Sequence, residues 1–102
     1  KQEDTLVEFS VVPIGGSDSD SISPTVAKVA KLVKDSPLSS EIHAMGTVIE
    51  GELEECMELV KNCLREALRD NSRVTASVRI DLRPGHPNRM EANVRSVERK
   101  IA

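Results

Sequence analysis

Hydrophobic and polar residues alternate in two segments of the chain, as they do in strands that bury one face. In the first segment, Thr5 to Ile14, Val7 and Phe9 fall on one face and Glu8 falls on the other. The second segment, Val74 to Leu82, alternates strictly between apolar and polar residues. Because successive side chains of a strand point to opposite faces, both segments are predicted to be strands with one buried face.

Two further segments carry apolar residues at helical spacing. The first helix is predicted to begin with Ser23 as N-cap and Pro24 at its first position, and to run to about Lys34. The second covers Leu53 to Leu68, whose apolar residues recur at steps of three and four while glutamates and basic residues occupy the other face. This spacing predicts two amphipathic helices that pack on a sheet.

A hairpin is predicted between the two helices. Short apolar runs at Ser39 to Met45 and Thr47 to Glu50 meet at Gly46, and Gly51 ends the second run. Glycine adopts a positive φ without a Cβ clash, so we expect the chain to reverse at Gly46. This turn would bring the side chains of His43, Thr47 and Glu50 together near one end of the sheet.

The last segment has helical spacing again. After a turn at Pro84 to Pro87, an apolar stripe recurs along one face of a predicted final helix: Met90, Val94, Val97 and Ile101. The predicted order is strand, helix, strand, strand, helix, strand, helix. The fold class is therefore α+β, a ferredoxin-like βαββαβ sandwich with an added C-terminal helix, in a single domain over residues 1–102.

Composition excludes several classes of function. The 102 residues include 14 Lys and Arg against 17 Asp and Glu, and Phe9 is the single aromatic residue. A net charge of -3 with no pair of stacking rings argues against a nucleic-acid binder. There is no apolar run of membrane-spanning length and no leader pattern, so we expect a cytoplasmic protein without a membrane partner.

The chain offers little catalytic or metal-binding chemistry. His43 and His86 are far apart and lack ligands at metal-site spacing, so no metal and no resident cofactor are expected. Cys56 and Cys63 lie seven residues apart on one helix, which predicts unlinked, mostly buried thiols. Since the sequence has no identifiable nucleophile with a base, we expect that the protein is not an enzyme.

The face of the sheet away from the helices has two interpretations. It is either a ligand site that uses Glu8, Arg79, Asp81 and His43, or a solvated or subunit-covered surface with cross-strand ion pairs such as Glu8 with Arg79. Alternation places the following residues on this open face, with Ile42, Ala44 and Val48 pointing inward: Glu8, Ser10, His43, Thr47, Ile49, Thr75, Ser77, Arg79 and Asp81.

Several motifs together resemble the thiamine-binding protein family, which is related to YkoF-like domains. They are Glu8-Phe9-Ser10-Val11-Val12-Pro13-Ile14-Gly15, Ser21-Ile22-Ser23, His43-Ala44-Met45-Gly46-Thr47-Val48-Ile49-Glu50-Gly51 and Pro87-Asn88-Arg89-Met90-Glu91. The resemblance implies non-enzymatic binding of thiamine or its hydroxymethylpyrimidine part. It also implies homo-oligomers, with dimers formed through the sheet faces and some dimers paired into tetramers.

The resemblance also implies a ligand region. Its residues would be Ser21, Ser23, His43, Gly46, Thr47 and Glu50. An aminopyrimidine needs hydrogen-bond acceptors and hydroxyl donors, so Glu50, Thr47 and Ser21 would be the principal contacts, and Glu50→Gln would weaken binding. Two other functions compete with this one: a structural or regulatory homo-oligomer with no small ligand, and an enzyme of thiamine salvage.

Overall fold

The computed structural model describes residues 5–14, 24–43 and 45–84, which form an antiparallel sheet with two helices. The sheet has four strands in the order β2-β3-β1-β4, which is the ferredoxin-like arrangement that the sequence predicts. The predicted C-terminal helix, Ser21 and Ser23 lie outside the described residues. The elements are β1 (Thr5–Ile14), α1 (Pro24–Asp35), β2 (Ser39–His43), β3 (Gly46–Gly51), α2 (Leu53–Leu68) and β4 (Arg73–Leu82).

The hydrophobic core lies between the helices and one face of the sheet. Val7, Phe9 and Ile49 supply the sheet side, and both helices supply the opposite side. Their buried apolar residues are Val29, Val33, Cys56, Leu59, Val60, Cys63 and Ala67. The predicted faces of β1 and of the two helices are therefore confirmed. No helix in the described ranges has the length and apolar character that a membrane span requires.

The predicted hairpin exists, but its turn lies elsewhere. His43 pairs with Gly46 and Ile42 pairs with Thr47, so the chain reverses between His43 and Gly46, and Gly46 already belongs to β3. The φ angle of Gly46 is not in the left-handed region. Glycine is needed for space instead, because a Cβ there would lie 3.0 Å from the backbone oxygen of Phe9.

This shift of the turn reverses the predicted faces of β3. Thr47 pairs with Phe9 and therefore faces the helices, whereas Val48 pairs with Glu8 on the open face. Ile49 faces the core as well. The placement of Thr47 and Ile49 on the open face was wrong, because a register change of one residue moves every side chain of a strand to the other side.

The edge strand β4 is less buried than its alternating pattern predicts. Ile80 and Val78 pair with the buried Val7 and Phe9, so they lie on the helix face, yet both are exposed. Among the described residues of β4, Val74 is the one that packs against the core cluster. The helices thus cover the start of this strand and leave the rest of its inner face open.

Candidate functional site

A cleft forms because the two neighbours of β1 differ in length. β4 pairs with β1 from Thr5 to Ile14, whereas β3 pairs with it only from Thr5 to Phe9. Along residues 10–14, no described strand occupies the other edge of β1. Pro13 lies in this segment, where the N–H group that it lacks is not required for pairing with β3.

The helix α1 and the hairpin close the other sides of this space. The resulting cleft has a volume of about 390 Å³ and lies between β1, the first half of α1 and the end of the β2–β3 hairpin. This volume is within the range of small-molecule sites in proteins, about 300–1,000 Å³. Phe9, Val11 and Val29 are among its apolar lining residues.

Apolar side chains remain exposed at the mouth of the cleft. Val26 of α1 is 43% exposed, Ile42 of β2 is 41% exposed and Met45 of the turn is 89% exposed, and all three line the cleft. The fold itself does not bury them, although burial of apolar surface is favourable. Contiguous exposed apolar surface of this kind is typical of a binding site.

Two buried hydroxyl groups lie inside the same cleft. Thr47 and Thr25 line it and are 9% and 5% exposed. The Oγ1 atom of Thr25 accepts a hydrogen bond of 2.8 Å from Nδ2 of Asn71. A mostly apolar cleft with a few convergent polar groups can hold an apolar ring and fix its orientation.

Comparison with known proteins identifies the family. The sequence matches the model of the thiamine-binding protein family over residues 7–98. The chain belongs to this family. It is 34% identical over 92 residues to the UPF0045 protein of Methanocaldococcus jannaschii, with 90% of each chain covered. It is 36% identical over 97 residues to a UPF0045 protein of Mycobacterium bovis, with 94% of this chain and 93% of the relative covered.

Solved structures agree with this assignment. The Methanocaldococcus jannaschii protein superimposes with a TM-score of 0.83 at 32% identity, covering 95% of this chain and 98% of that one. A Thermotoga maritima protein described as a candidate thiamine biosynthesis/salvage protein gives a TM-score of 0.75 at 22% identity, covering 91% and 98%. The second comparison supports the fold alone.

In this member of the family, the cleft brings together part of the predicted ligand region. His43, Gly46 and Thr47 line the cleft. Glu50 does not join them, because it lies three residues after Thr47 in β3 and its side chain therefore points to the open face. It is 3% exposed and pairs with Leu6 of β1. Ser21, which lies outside the described residues, precedes α1 in the chain.

His43 lies at the end of β2 beside a carboxylate. Its Nε2 atom is 3.3 Å from Oε1 of Glu41, and both side chains are about half exposed. Such a pair is ionic only when the imidazole is protonated, and exposed pairs contribute little to stability. In the part of the chain that the structure describes, no group of three or more His, Cys, Asp or Glu side chains could hold a metal ion.

The open face of the sheet carries the predicted cross-strand ion pair. An Nη1 atom of Arg79 lies 3.7 Å from Oε1 of Glu8, as the second interpretation of this face predicts. A shallow recess of about 420 Å³ lies beside the pair, next to Leu6 and Val48. Both charged side chains are largely in water. The charges of Glu8 and Arg79 are therefore solvated, whereas the hydroxyls of Thr25 and Thr47 in the cleft are buried.

Both cysteines belong to the hydrophobic core. Cys56 and Cys63 are free and buried in the core, which confirms that they are unlinked. Burial disfavours the thiolate and raises the pKa of Cys63 to about 11. Near neutral pH the Cys63 thiol is therefore protonated and is not a nucleophile.

Sequence reasoning missed the cleft residues Thr25 and Val26, and it missed Asn71, which contacts Thr25 from outside the cleft. One signal was available for Thr25, which precedes Val29 and Val33 by four and eight residues and so shares their buried helical stripe. A hydroxyl on such a stripe needs a hydrogen-bond partner. The partner, Asn71, is 46 residues further along the chain, and local patterns do not predict this contact.

Proposed function

We propose that the protein binds thiamine, through its hydroxymethylpyrimidine part, in the cleft beside β1 and does not convert it. The observation that carries this proposal is an apolar cleft that contains two buried threonine hydroxyls, in a chain of the thiamine-binding protein family. The protein would act as a carrier, a buffer or a sensor of the vitamin or its precursor.

The chemistry of the cleft suits a pyrimidine ring. The two faces of the ring are apolar and would cover the exposed side chains of Val26, Ile42 and Met45. Its edge carries nitrogen acceptors and an amino donor, which need partners once they leave water. The hydroxyls of Thr25 on α1 and Thr47 on β3 supply both donor and acceptor capacity.

The free edge of β1 supplies further groups. Residues 10–12 line the cleft, and along the edge of β1 opposite β4 no described strand pairs with them. Such a strand edge presents N–H and C=O groups in alternation. An aminopyrimidine edge also places a donor beside an acceptor. In this proposal the edge of the ring uses the hydrogen-bonding groups that a longer β3 would use, as an extended peptide does when it adds a strand to a sheet.

Binding without turnover is favoured by the side chains that surround the ring. The polar residues that line the cleft are Ser10, Thr25, His43 and Thr47, and among the described residues the carboxylate that lies within 4 Å of the His43 imidazole belongs to the exposed Glu41. Acyl or glycosyl chemistry would require an activated nucleophile or a pair of carboxyl groups beside the ring. The described cleft residues are suited to recognition.

We also propose that the open face of the sheet packs against a second copy of the chain. The half-buried apolar residues Leu6 and Val48 lie on this face beside the Glu8–Arg79 pair, and a domain of this size gains stability when a partner covers such surface. Sedimentation at micromolar concentration should give a dimer or a tetramer. A monomer would contradict this part of the proposal.

Calorimetric titration tests the proposed function. Thiamine and hydroxymethylpyrimidine should each bind at one site per chain, whereas the thiazole alcohol should give no heat beyond dilution. Ligand recovered after long incubation should be chemically unchanged. Binding of none of the three compounds would favour the alternative, a structural or regulatory homo-oligomer, and appearance of a product would favour an enzyme of thiamine salvage.

A further inference from the structure

One side-chain amide links a cleft residue to the segment that follows α2. Asn71 follows α2, and its Nδ2 group donates one hydrogen bond of 2.8 Å to Oγ1 of Thr25 and a second of 2.8 Å to the carbonyl oxygen of Ala67. An amide nitrogen has two protons, so these two bonds use both of them. The orientation of the Asn71 side chain is therefore fixed.

This arrangement determines how the hydroxyl of Thr25 can be used. Its oxygen accepts from Asn71, so its own proton points away from Asn71. Thr25 is nearly buried and lines the cleft in the first turn of α1. A hydroxyl held in this way is a donor of defined direction, which suits an acceptor atom on a ligand.

A second link between the same two regions does not reach the cleft. Lys28 lies one turn after Thr25, and its Nζ atom is 2.6 Å from Oδ2 of Asp70, the residue before Asn71. Both side chains of this ion pair are about half exposed, and neither residue lines the cleft. The residues that follow α2 thus contact α1 at two points, Lys28 and Thr25. Of these two contacts, the one made by Asn71 involves a cleft residue.

We propose that Asn71 is a positioning residue for ligand recognition: it orients the Thr25 hydroxyl so that this group donates to a ring nitrogen of a heteroaromatic ligand. The inference rests on the proposed function and deepens it. The inference assigns a role to Asn71, which lies outside the cleft and far in sequence from Thr25. It also specifies that the ligand contributes a hydrogen-bond acceptor to the contact with Thr25.

A double-mutant cycle tests this role with hydroxymethylpyrimidine as the probe. Thr25→Val removes the hydroxyl at nearly constant volume, and Asn71→Ala removes the group that orients it. Each variant should bind about three- to tenfold more weakly, the range that one hydrogen bond supplies. The double variant should bind no more weakly than Thr25→Val alone, since Asn71 acts through that hydroxyl.

Two further variants separate positioning from simple stabilisation. Thr25→Ser keeps the hydroxyl and should retain affinity within about twofold, while Lys28→Ala breaks the neighbouring ion pair and should not change it. Thermal unfolding of each variant shows whether it is folded at the titration temperature. A purely structural role of Asn71 would lower the unfolding temperature and leave the affinity of the folded protein unchanged.

The outcomes are distinct. Additive losses in the double variant, or an unchanged affinity in folded Asn71→Ala, would overturn the positioning role while the proposed function stands. Failure of the parent protein to bind thiamine and hydroxymethylpyrimidine would overturn the proposed function and this inference with it. Loss in both single variants without a further loss in the double variant supports the inference.

Discussion

The Glu8–Arg79 pair on the open face and the cleft on the helix side present opposite combinations of polarity and exposure. On the open face, Glu8 and Arg79 are charged, lie largely in water and pair with each other. In the cleft on the helix side, the hydroxyls of Thr25 and Thr47 are buried while Val26 is exposed. The two charges of the open face already pair with each other, whereas exposed apolar groups beside buried polar groups are unusual in a folded domain. For this reason we propose that the ligand binds on the helix side.

The difference has a simple origin in strand length. Where β3 and β4 both pair with β1, from Thr5 to Phe9, the sheet is continuous and its helix side is filled by core residues. Beyond Phe9 the strand has β4 on one side only. The same strand therefore belongs to the core over its first half and to the cleft over its second half.

The largest loss of affinity is expected when a bulky side chain fills the cleft. Ala30 lies on α1 and lines the cleft, so Ala30→Phe should occupy the space of the ring and lower the affinity for thiamine by about 100-fold or more, a loss of about 3 kcal/mol. The matched control is Ala27→Phe, which adds the same side chain to an exposed position of α1. Calorimetry of both variants, with thermal unfolding to verify the fold, makes the test. Equal affinities would place the ligand outside the cleft.

The next effect concerns the hairpin that forms one end of the cleft. In Gly46→Ala the new Cβ would lie 3.0 Å from the Phe9 backbone oxygen, which cannot rotate away, so the free energy of unfolding should fall by about 1–3 kcal/mol. In Gly51→Ala the contact is the flexible end of the Leu38 side chain, and the loss should be smaller. Urea denaturation measures both losses. A larger loss for Gly51→Ala would contradict the account.

A pair of substitutions in β3 compares the two faces directly. Thr47→Val removes a hydroxyl of the cleft and should weaken binding by about three- to tenfold. Glu50→Gln alters the open face, so affinity should stay within about twofold, in contrast to the loss predicted from sequence. The reverse order of affinities in calorimetric titrations would show that the ligand contacts the other face.

A substitution of Met45 tests whether the mouth of the cleft contacts the ligand. Because its side chain is 89% exposed, Met45→Ala should leave thermal stability unchanged, while loss of an adaptable apolar contact should weaken binding by about two- to fivefold. Met57→Ala on α2 is the control, since this exposed methionine does not line the cleft. If both variants bind like the parent protein, Met45 does not cover the ligand.

The smallest changes in stability and affinity are expected for a substitution on the open face. Arg79→Ala removes the exposed partner of Glu8, which should change the free energy of unfolding by less than about 1 kcal/mol. Affinity for hydroxymethylpyrimidine should be the same within about twofold. Urea denaturation and calorimetry measure the two quantities, and a strong loss of affinity would indicate that the ligand lies beside Arg79.

Local patterns predicted the elements of the fold well and the site less well. The alternation of Thr5 to Ile14 and the helical spacing of Leu53 to Leu68 identified β1 and α2 with the observed bounds, because each pattern extends over many residues. The hairpin is short, and the assumption of a turn at Gly46 displaced its register by one residue. That error placed Thr47 beside Glu50, although the two lie on opposite faces of the sheet.

The cleft itself could not be predicted from sequence. It depends on where β3 ends relative to β1, and on a contact between Asn71 and Thr25 across 46 residues. Neither leaves a periodic pattern in the chain. Family resemblance nevertheless selected His43, Gly46 and Thr47, which line the cleft. Their role in binding remains a prediction.

Methyl-detected NMR with bound hydroxymethylpyrimidine tests the central claim, that the ligand occupies the helix-side cleft, most directly. Val26 and Ile42 report on the cleft, while Leu6 and Val48 report on the open face. The account predicts intermolecular NOEs from the ring methyl and ring proton of the ligand to Val26 and Ile42 methyl groups, and none to those of Leu6 and Val48. NOEs to Leu6 and Val48, without any to Val26 or Ile42, would contradict it.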